Sequence, residues 1–234
     1  MAADYGPAIR EAFERYRDMD GSLDERMAGF AATLRELSPS PQAAVDRLVE
    51  RVNRSGSFRT APQAGDQMPT FLLPDHRGGL TDLADILRNG PAAITFHRGH
   101  WCPHCRISIR SWARAYDQVL ALGGEVVAVT PDVQQYAAQF QSESQARFPI
   151  LSDVDNGYAL SLGLVVWVGD EMQAVLRGVG HDLRKYQGNE SWTFPIPATF
   201  VVDTSGRIAA RFLDPDYRKR AAIEEVLDAL AQAR

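Results

Sequence analysis

The chain has 234 residues, 45% of them hydrophobic, two cysteines, and a formal net charge of −5 at neutral pH. That is enough apolar material for one large or two small cores without disulfide staples, and the interleaved charges, with no lysine- or arginine-rich block, argue against a general nucleic-acid surface. Residues 1–7 lack the basic start and apolar core of a secretory signal, and no apolar run approaches membrane-spanning length. A cytoplasmic protein with no membrane partner is therefore expected.

Residues 7–57 read as helices only. Ile9, Phe13 and Tyr16 form one apolar stripe; Leu23, Met27, Phe30, Leu34 and Leu37 form a second; Val45, Leu48, Val49 and Val52 form a third, after two Ser-Pro pairs. No catalytic constellation lies here, and the stripes need an acceptor surface. Residues 53–67, rich in Ser, Gly, Thr, Pro and Gln, read as a linker. The expected division is a helical extension, 1–58, followed by a second domain, 59–234.

Beyond the linker the pattern changes to alternating strands and helices. Residues 68–74 suggest a strand, 75–79 a turn, and Thr81-Asp82 an N-cap for a helix through Leu87. The apolar run 92–96 is a buried strand, and Ile109, Trp112, Ala113, Tyr116, Val119 and Leu120 follow at helical spacing until Gly123-Gly124. Residues 125–130, nearly free of charge, form a parallel-type strand, with a helix over 133–144 and further extended pieces at 148–151 and 164–168, the latter two separated by a short helix over 155–162. Residues 169–195 form a long insertion with two short helices and a polar loop. Residues 196–203 and 207–213 form a hairpin, and 220–233 a closing amphipathic helix. This is an α/β domain with a mixed central sheet.

Both cysteines and three of the five histidines fall in Thr95-Phe96-His97-Arg98-Gly99-His100-Trp101-Cys102-Pro103-His104-Cys105, at a strand-to-helix junction. Pro103 suits the first helical position, which places Cys102 at the N-cap and Cys105 third in the helix. A Cys102 thiolate there faces unpaired N–H groups and the positive end of the helix dipole, so its pKa should fall below the free-thiol value of about 8.5, and Cys105 is its natural disulfide partner. Two other readings stay open: small buried hydrophobes, and a zinc site drawing on His97, His100, His104 and the thiols. Against zinc, no second Cys-x-x-Cys or His pair supplies a remote half-site.

The segment 65–71, the Arg98–Cys105 motif, the strand Ile196-Pro197-Ala198-Thr199-Phe200-Val201-Val202-Asp203 and Asp214-Pro215-Asp216-Tyr217-Arg218 together resemble the peroxiredoxin-like branch of the alkyl hydroperoxide reductase and thiol-specific antioxidant superfamily, over about residues 62–232. The resemblance implies a thioredoxin-like three-layer sandwich, with Cys102 as the peroxide-attacking cysteine and Pro197 as a cis-proline facing it. It also departs from that pattern. The proline and the Thr or Ser usual seven and three residues before the nucleophile are Thr95 and Gly99 here, and Gly99 offers no hydroxyl to a peroxide. No position is assigned to the family's arginine beside the thiolate, Arg177 being a guess.

The expected activity is that of a thiol-dependent peroxidase without metal or organic cofactor. Cys102 is oxidised to a sulfenic acid, Cys105 resolves it to a disulfide, and a dithiol reductant such as thioredoxin, or glutathione, restores the pair. Arg98 is the candidate for steadying the thiolate. His104 donates to the Cys102 sulfur or raises the local positive potential, and Trp101, Gly99 and Pro197 are candidate substrate contacts. The rival functions are a thiol-disulfide oxidoreductase without fast peroxide reaction, which Gly99 favours, and a metal-binding or redox-sensing interaction protein. A homodimer is expected to bury the extension, with Met27, Phe30 and Leu34 among the contacts.

Overall fold

The computed structural model describes residues 6–233. The extension folds as three helices, α1 (Pro7–Asp18), α2 (Leu23–Leu37) and α3 (Pro39–Ser55). Local chemistry sets their ends. Ser22 and Glu25 form a reciprocal capping box at the start of α2, and α3 begins at Pro39 and stops at Gly56, which takes a φ of 62°.

The remaining elements are strands β1 (Leu72–Pro74), β2 (Leu80–Asp82), β3 (Ala92–Phe96), β4 (Glu125–Thr130), β5 (Ile150–Ser152), β6 (Val165–Trp167), β7 (Thr193–Pro195), β8 (Ala198–Val202) and β9 (Ile208–Leu213), and helices α4 (Leu83–Leu87), α5 (Pro103–Ala121), α6 (Gln134–Ser144), α7 (Gly157–Ser161), α8 (Asp170–Gly178), α9 (Leu183–Gln187) and α10 (Ile223–Gln232). The central sheet runs β5-β4-β3-β8-β9, with β3, β4 and β5 parallel, β8 antiparallel to β3, and β9 antiparallel to β8. Mixed pairing follows from the connections: helices α5 and α6 carry the chain between the parallel strands, whereas a turn at 203–207 joins β8 to β9. Side chains alternate across the sheet. Ala93, Val126, Ala128 and Val201 join the core beneath α5 and α10, while Ile94, Phe96, Val127 and Phe200 join the one that includes Leu83, Leu87 and Tyr158. This is the expected three-layer thioredoxin-like arrangement.

Three expectations change. The strand expected over 68–74 shrinks to β1, which pairs with β2 outside the main sheet, and β6 pairs with β7 to form a separate ribbon. Among the described residues every peptide bond is trans, including Ile196–Pro197. Pro197 is a strand-entry proline: the N–H of Ile196 is taken by the Leu164 carbonyl at 2.7 Å, and sheet pairing resumes at Ala198, so the missing donor is not needed.

The third change concerns the extension. Met27, Phe30, Leu34, Val45 and Leu48 are buried within the one chain, in the same apolar cluster as Ile109 and Trp112 of α5. The Phe30 ring packs at a tilt 5.0 Å from the His104 ring, and the buried Arg26 donates to Ser111 of α5 at 2.7 Å. Arg47 pairs with Glu171, and Arg51 donates to the carbonyl of Val168 at 2.9 Å, tying α3 to the start of α8. The acceptor surface for these stripes is α5 and α8 of the same chain. Met27, Phe30 and Leu34 are therefore not free to build the expected dimer contact; Leu37, at 46% exposed, is the stripe residue left outside.

Candidate active site

Strand β3 ends at Phe96 and α5 begins at Pro103, so residues 97–102 form the tight junction that carries the chemistry. Cys102 is the N-cap of α5 and Cys105 lies in its first turn, as the spacing predicts. The junction is pinned by three bonds: Cys102 N–H to the Gly99 carbonyl (3.1 Å), His100 N–H to Asp132 (2.7 Å) and the Trp101 indole N–H to the Arg98 carbonyl (3.1 Å). Gly99 is required by this geometry. Its φ is 134°, and a Cβ there would stand 2.7 Å from the Trp101 indole nitrogen and 2.8 Å from Asp132 Oδ1.

Both sulfurs are buried and reduced, Cys102 at 1% exposure and Cys105 at 0%. Above Cys102 lies a cavity of about 80 Å³ bounded by Arg98, Trp101 and His104 of the junction, Leu34, Gln42 and Val45 of the extension, Met172 and Leu176 of α8, and Tyr217. It is mostly apolar, with the sulfur and a few polar groups converging on it, the usual make-up of a small-ligand site.

Arg98 is the decisive neighbour. It is 2% exposed and has no carboxylate partner among the described residues, and its Nε–H and Nη1–H groups donate to no protein acceptor there. Aromatic faces surround the guanidinium, with its carbon 3.6 Å from the Tyr217 ring centre, 4.3 Å from Phe194 and 4.7 Å from Trp101. Burial disfavours this charge, yet its pKa is raised, because Cys102 first, then Tyr217 and Cys105, present negative charge to it. The effect on Cys102 is reciprocal. Burial alone would push the thiol up; the Cys105 thiol, the Arg98 charge, the Cys105 backbone N–H and Arg220 outweigh it and bring it down to about 6. The Cys105 backbone N–H is the helix end's own contribution, and it ranks after the arginine. Cys105 goes the other way, pushed up to about 12 by burial and by the adjacent Cys102.

The surroundings of Cys105 are polar. Arg220 approaches its sulfur at 3.6 Å, and the fully buried His97 ring lies against the thiol. His97 Nε2 is 3.1 Å from Thr95 Oγ1, which in turn accepts from Thr199 Oγ1 at 3.3 Å. Burial lowers the His97 pKa and keeps the ring neutral. Asp132 is fully buried as well; burial pushes its carboxyl up to about 7 against the opposing bonds from His100 N–H and Thr130, and Oδ1 has no partner.

The structure brings Arg98, Trp101, Cys102 and His104 together around the cavity and leaves Gly99 and Pro197 out of its lining. His104 is not a source of positive potential. It is packed between Phe30 and Tyr217, and burial, with Arg220, Arg98 and Arg218 nearby, holds it well below the usual imidazole range and therefore neutral. Arg177 lies exposed over Trp192 and does not line the cavity. Sequence reasoning did not assign Tyr217, Asp132, Arg220 or the extension residues to the site. Tyr217 lies within a segment already singled out by resemblance, and Asp132 follows a proline in what looks like a helix opening, although Val133 is the actual N-cap. Among the described residues no three metal-ligating side chains converge.

A low-pKa cysteine at a helix tip, three residues from a second thiol and set against a five-stranded mixed sheet, defines a thioredoxin-fold thiol redox centre. The AhpC/TSA family model matches residues 64–211. A Mycobacterium tuberculosis protein named as a peroxiredoxin, Rv2521, is 27% identical over 147 residues, spanning 62% of this chain and 80% of its own. Peroxiredoxin Bcp of Escherichia coli is 26% identical over 105 residues, 45% of this chain and 65% of its own. In fold the chain is similar to the crystal structure of peroxidoxin BcpB from Mycobacterium tuberculosis, with a TM-score of 0.57 and 20% identity, over 74% of this chain and 98% of that one. The chain belongs to the AhpC/TSA family, and is a thiol-dependent peroxidase of the peroxiredoxin type.

Proposed function

We propose that the chain reduces hydrogen peroxide or organic hydroperoxides at Cys102, in the cavity closed by the extension. The observation that carries this reading is the buried Arg98, whose guanidinium has no carboxylate to balance it and is served by a Cys102 thiolate. The thiolate attacks the distal peroxide oxygen, the O–O bond breaks, and the departing alkoxide or hydroxide takes a proton to leave as alcohol or water. Arg98 favours the negative charge on both sides of that transfer. The Cys102 sulfenic acid then condenses with Cys105, forming the disulfide and releasing water. Cys105 is a poor thiolate former, and the neutral His97 ring against it is placed to take its proton. Trp101 and Tyr217 hold the guanidinium by their ring faces, and His104 fills the wall as a neutral ring.

A dithiol such as thioredoxin, or glutathione, completes the cycle. The cytoplasm is the compartment we assign, since its reducing pools return such a pair to dithiol after each turnover. We read the extension, 1–58, and the thioredoxin-like unit, 59–234, as parts of one working body because residues from both line the cavity. The expected homodimer loses its original support, since the extension is already covered; sedimentation at micromolar concentration decides it, a monomer being the expected outcome.

Gly99 favours one rival, a thiol-disulfide oxidoreductase without fast peroxide reaction, because no hydroxyl at that position can hold the peroxide oxygens. Stopped-flow mixing of the reduced protein with hydrogen peroxide or cumene hydroperoxide, followed by tryptophan fluorescence, separates the two. Trp101 adjoins the sulfur and should report rapid oxidation; a fluorescence trace that responds to oxidised glutathione but not to either peroxide would replace the peroxidase reading with disulfide exchange.

A further inference from the structure

A second concavity, of about 750 Å³, opens between α2 and residues 214–221. Its walls are the small residues Ala28, Ala31 and Ala32 of α2 on one side and residues 214–221 on the other, over a floor that includes Pro197, Thr199 and Phe212. Cys105 does not line it but lies directly behind its wall at Arg220. Arg220 lines the groove and touches the Cys105 sulfur at 3.6 Å, and Thr199 on the floor is linked through Thr95 to His97.

The groove lining carries the cations Arg35, Arg211, Arg218, Lys219 and Arg220 against the carboxylates Asp24, Asp214, Asp216 and Glu225. Asp216 is held by Arg218 at 2.8 Å and Asp214 by Lys219 at 3.5 Å, while Asp24 and Glu225 are exposed at the rim. Arg211 and Arg220 make no ion pair among the described residues. Arg211 donates to the Ala61 carbonyl at 3.3 Å, and Arg220 to the carbonyls of Tyr217 and Lys219. Two guanidiniums without carboxylate partners, in a groove whose volume suits a small ligand, make an anion site, and the Cys105 sulfur lies behind one of them.

We propose that this groove binds the reductant, a small thiol carrying carboxylates, and that its thiolate attacks the disulfide at Cys105 rather than at Cys102. The proposal rests on the Cys102–Cys105 disulfide of the cycle above. Bond formation to Cys105 Sγ breaks the S–S bond and expels Cys102 as a thiolate beside Arg98, the better leaving group of the two because its charge is already stabilised there. A second thiolate attacks the mixed disulfide, releases the ligand disulfide and leaves Cys105 to take a proton. Two thiols thus supply two electrons, and one of their two protons passes to solvent. Neither sulfur is more than 1% exposed, which favours a small thiol threading the groove past Arg220 over a folded protein dithiol.

The test uses disulfide formed with diamide, so it does not depend on reaction with peroxide. Reduction is timed with glutathione and with glutathione diethyl ester, which has the same thiol without its carboxylate charges, at equal thiolate concentration. Wild type should be reduced about fivefold faster by glutathione, the range of one half-exposed charge pair, and Arg211→Gln should erase most of that gap. Ala32→Trp, at an exposed helix position, narrows the groove and should slow both thiols while leaving oxidation of Cys102 unchanged. The proposal is overturned by equal rates for the two thiols in wild type, by a gap that survives Arg211→Gln, by reduction unaffected by Ala32→Trp, or by failure of diamide to form the disulfide. If peroxide fails to oxidise the protein while these results hold, the peroxidase reading falls and the groove stands.

Discussion

Cys102 and Cys105 are three residues apart and equally buried, yet their surroundings push them in opposite directions, to about 6 and about 12. Burial disfavours both thiolates. The difference is which sulfur stands beside Arg98 and which has the other as its charged neighbour. The hydrogen bond between the two thiols and the buried Arg98 charge together separate a nucleophile from a resolving thiol, and the helix end plays a supporting part. The same contrast runs through the walls: Cys102 meets an apolar cavity closed by the extension, whereas Cys105 meets His97 and Arg220, and Arg220 in turn lines a charged groove.

The sharpest way to break the contrast is to replace Cys102 by Ser, which should abolish oxidation by hydroperoxide in a stopped-flow assay. Next in size is Arg98→Leu. Arg98 is one of several groups that bring Cys102 down to about 6, the Cys105 thiol acting before it, so its loss should return the thiol only part of the way toward the ordinary 9.0 and slow oxidation at pH 7 roughly 5- to 10-fold. The expected loss at pH 9.5 is far smaller, and a loss independent of pH would mean that Arg98 acts through structure alone. Cys105→Ser should leave the sulfenic acid unresolved, so that dimedone labels Cys102 after a single addition of peroxide.

Phe30→Ala tests the extension as the lid of the Cys102 side. Removing a fully buried ring packed on His104 should cost about 3–4 kcal/mol in urea unfolding and speed alkylation of Cys102 relative to Cys105. The smallest effect is the pH dependence of stability. Because the folded-state pKa of Cys102 is depressed, its contribution is fully present above about 9 and is lost as pH falls through about 6. Reduced wild type should lose stability over that interval, measured by urea unfolding, and Cys102→Ser should lose less.

The fold was legible because its signals are local. Charge-free strands at 92–96 and 125–130, Pro103 at the head of α5, and the hairpin turn before β9 each follow from periodicity or turn chemistry. The cysteine pair was legible for the same reason. What the sequence withheld depends on long-range packing: Tyr217 meets Arg98 only because residues 214–221 fold back beside α5, and His104 is neutral because burial, to which Phe30 of the extension contributes, and the nearby Arg220, Arg98 and Arg218 disfavour its charge. The apolar stripes of α1–α3 announced that they needed a partner surface without saying that α5 and α8 supply it. Pro197 shows the limit of resemblance, since a strand-entry position fits a trans proline as well as the family pattern fits a cis one.

The most direct measurement is the rate of disulfide formation after mixing reduced wild-type protein with hydrogen peroxide, followed across pH 4.5–9.5 in a single turnover. The account predicts a rate that rises with a midpoint at about 6 and then levels off, with Cys102 and Cys105 joined in the product. A midpoint near the ordinary thiol value of 9.0, or no disulfide at any pH, would contradict it.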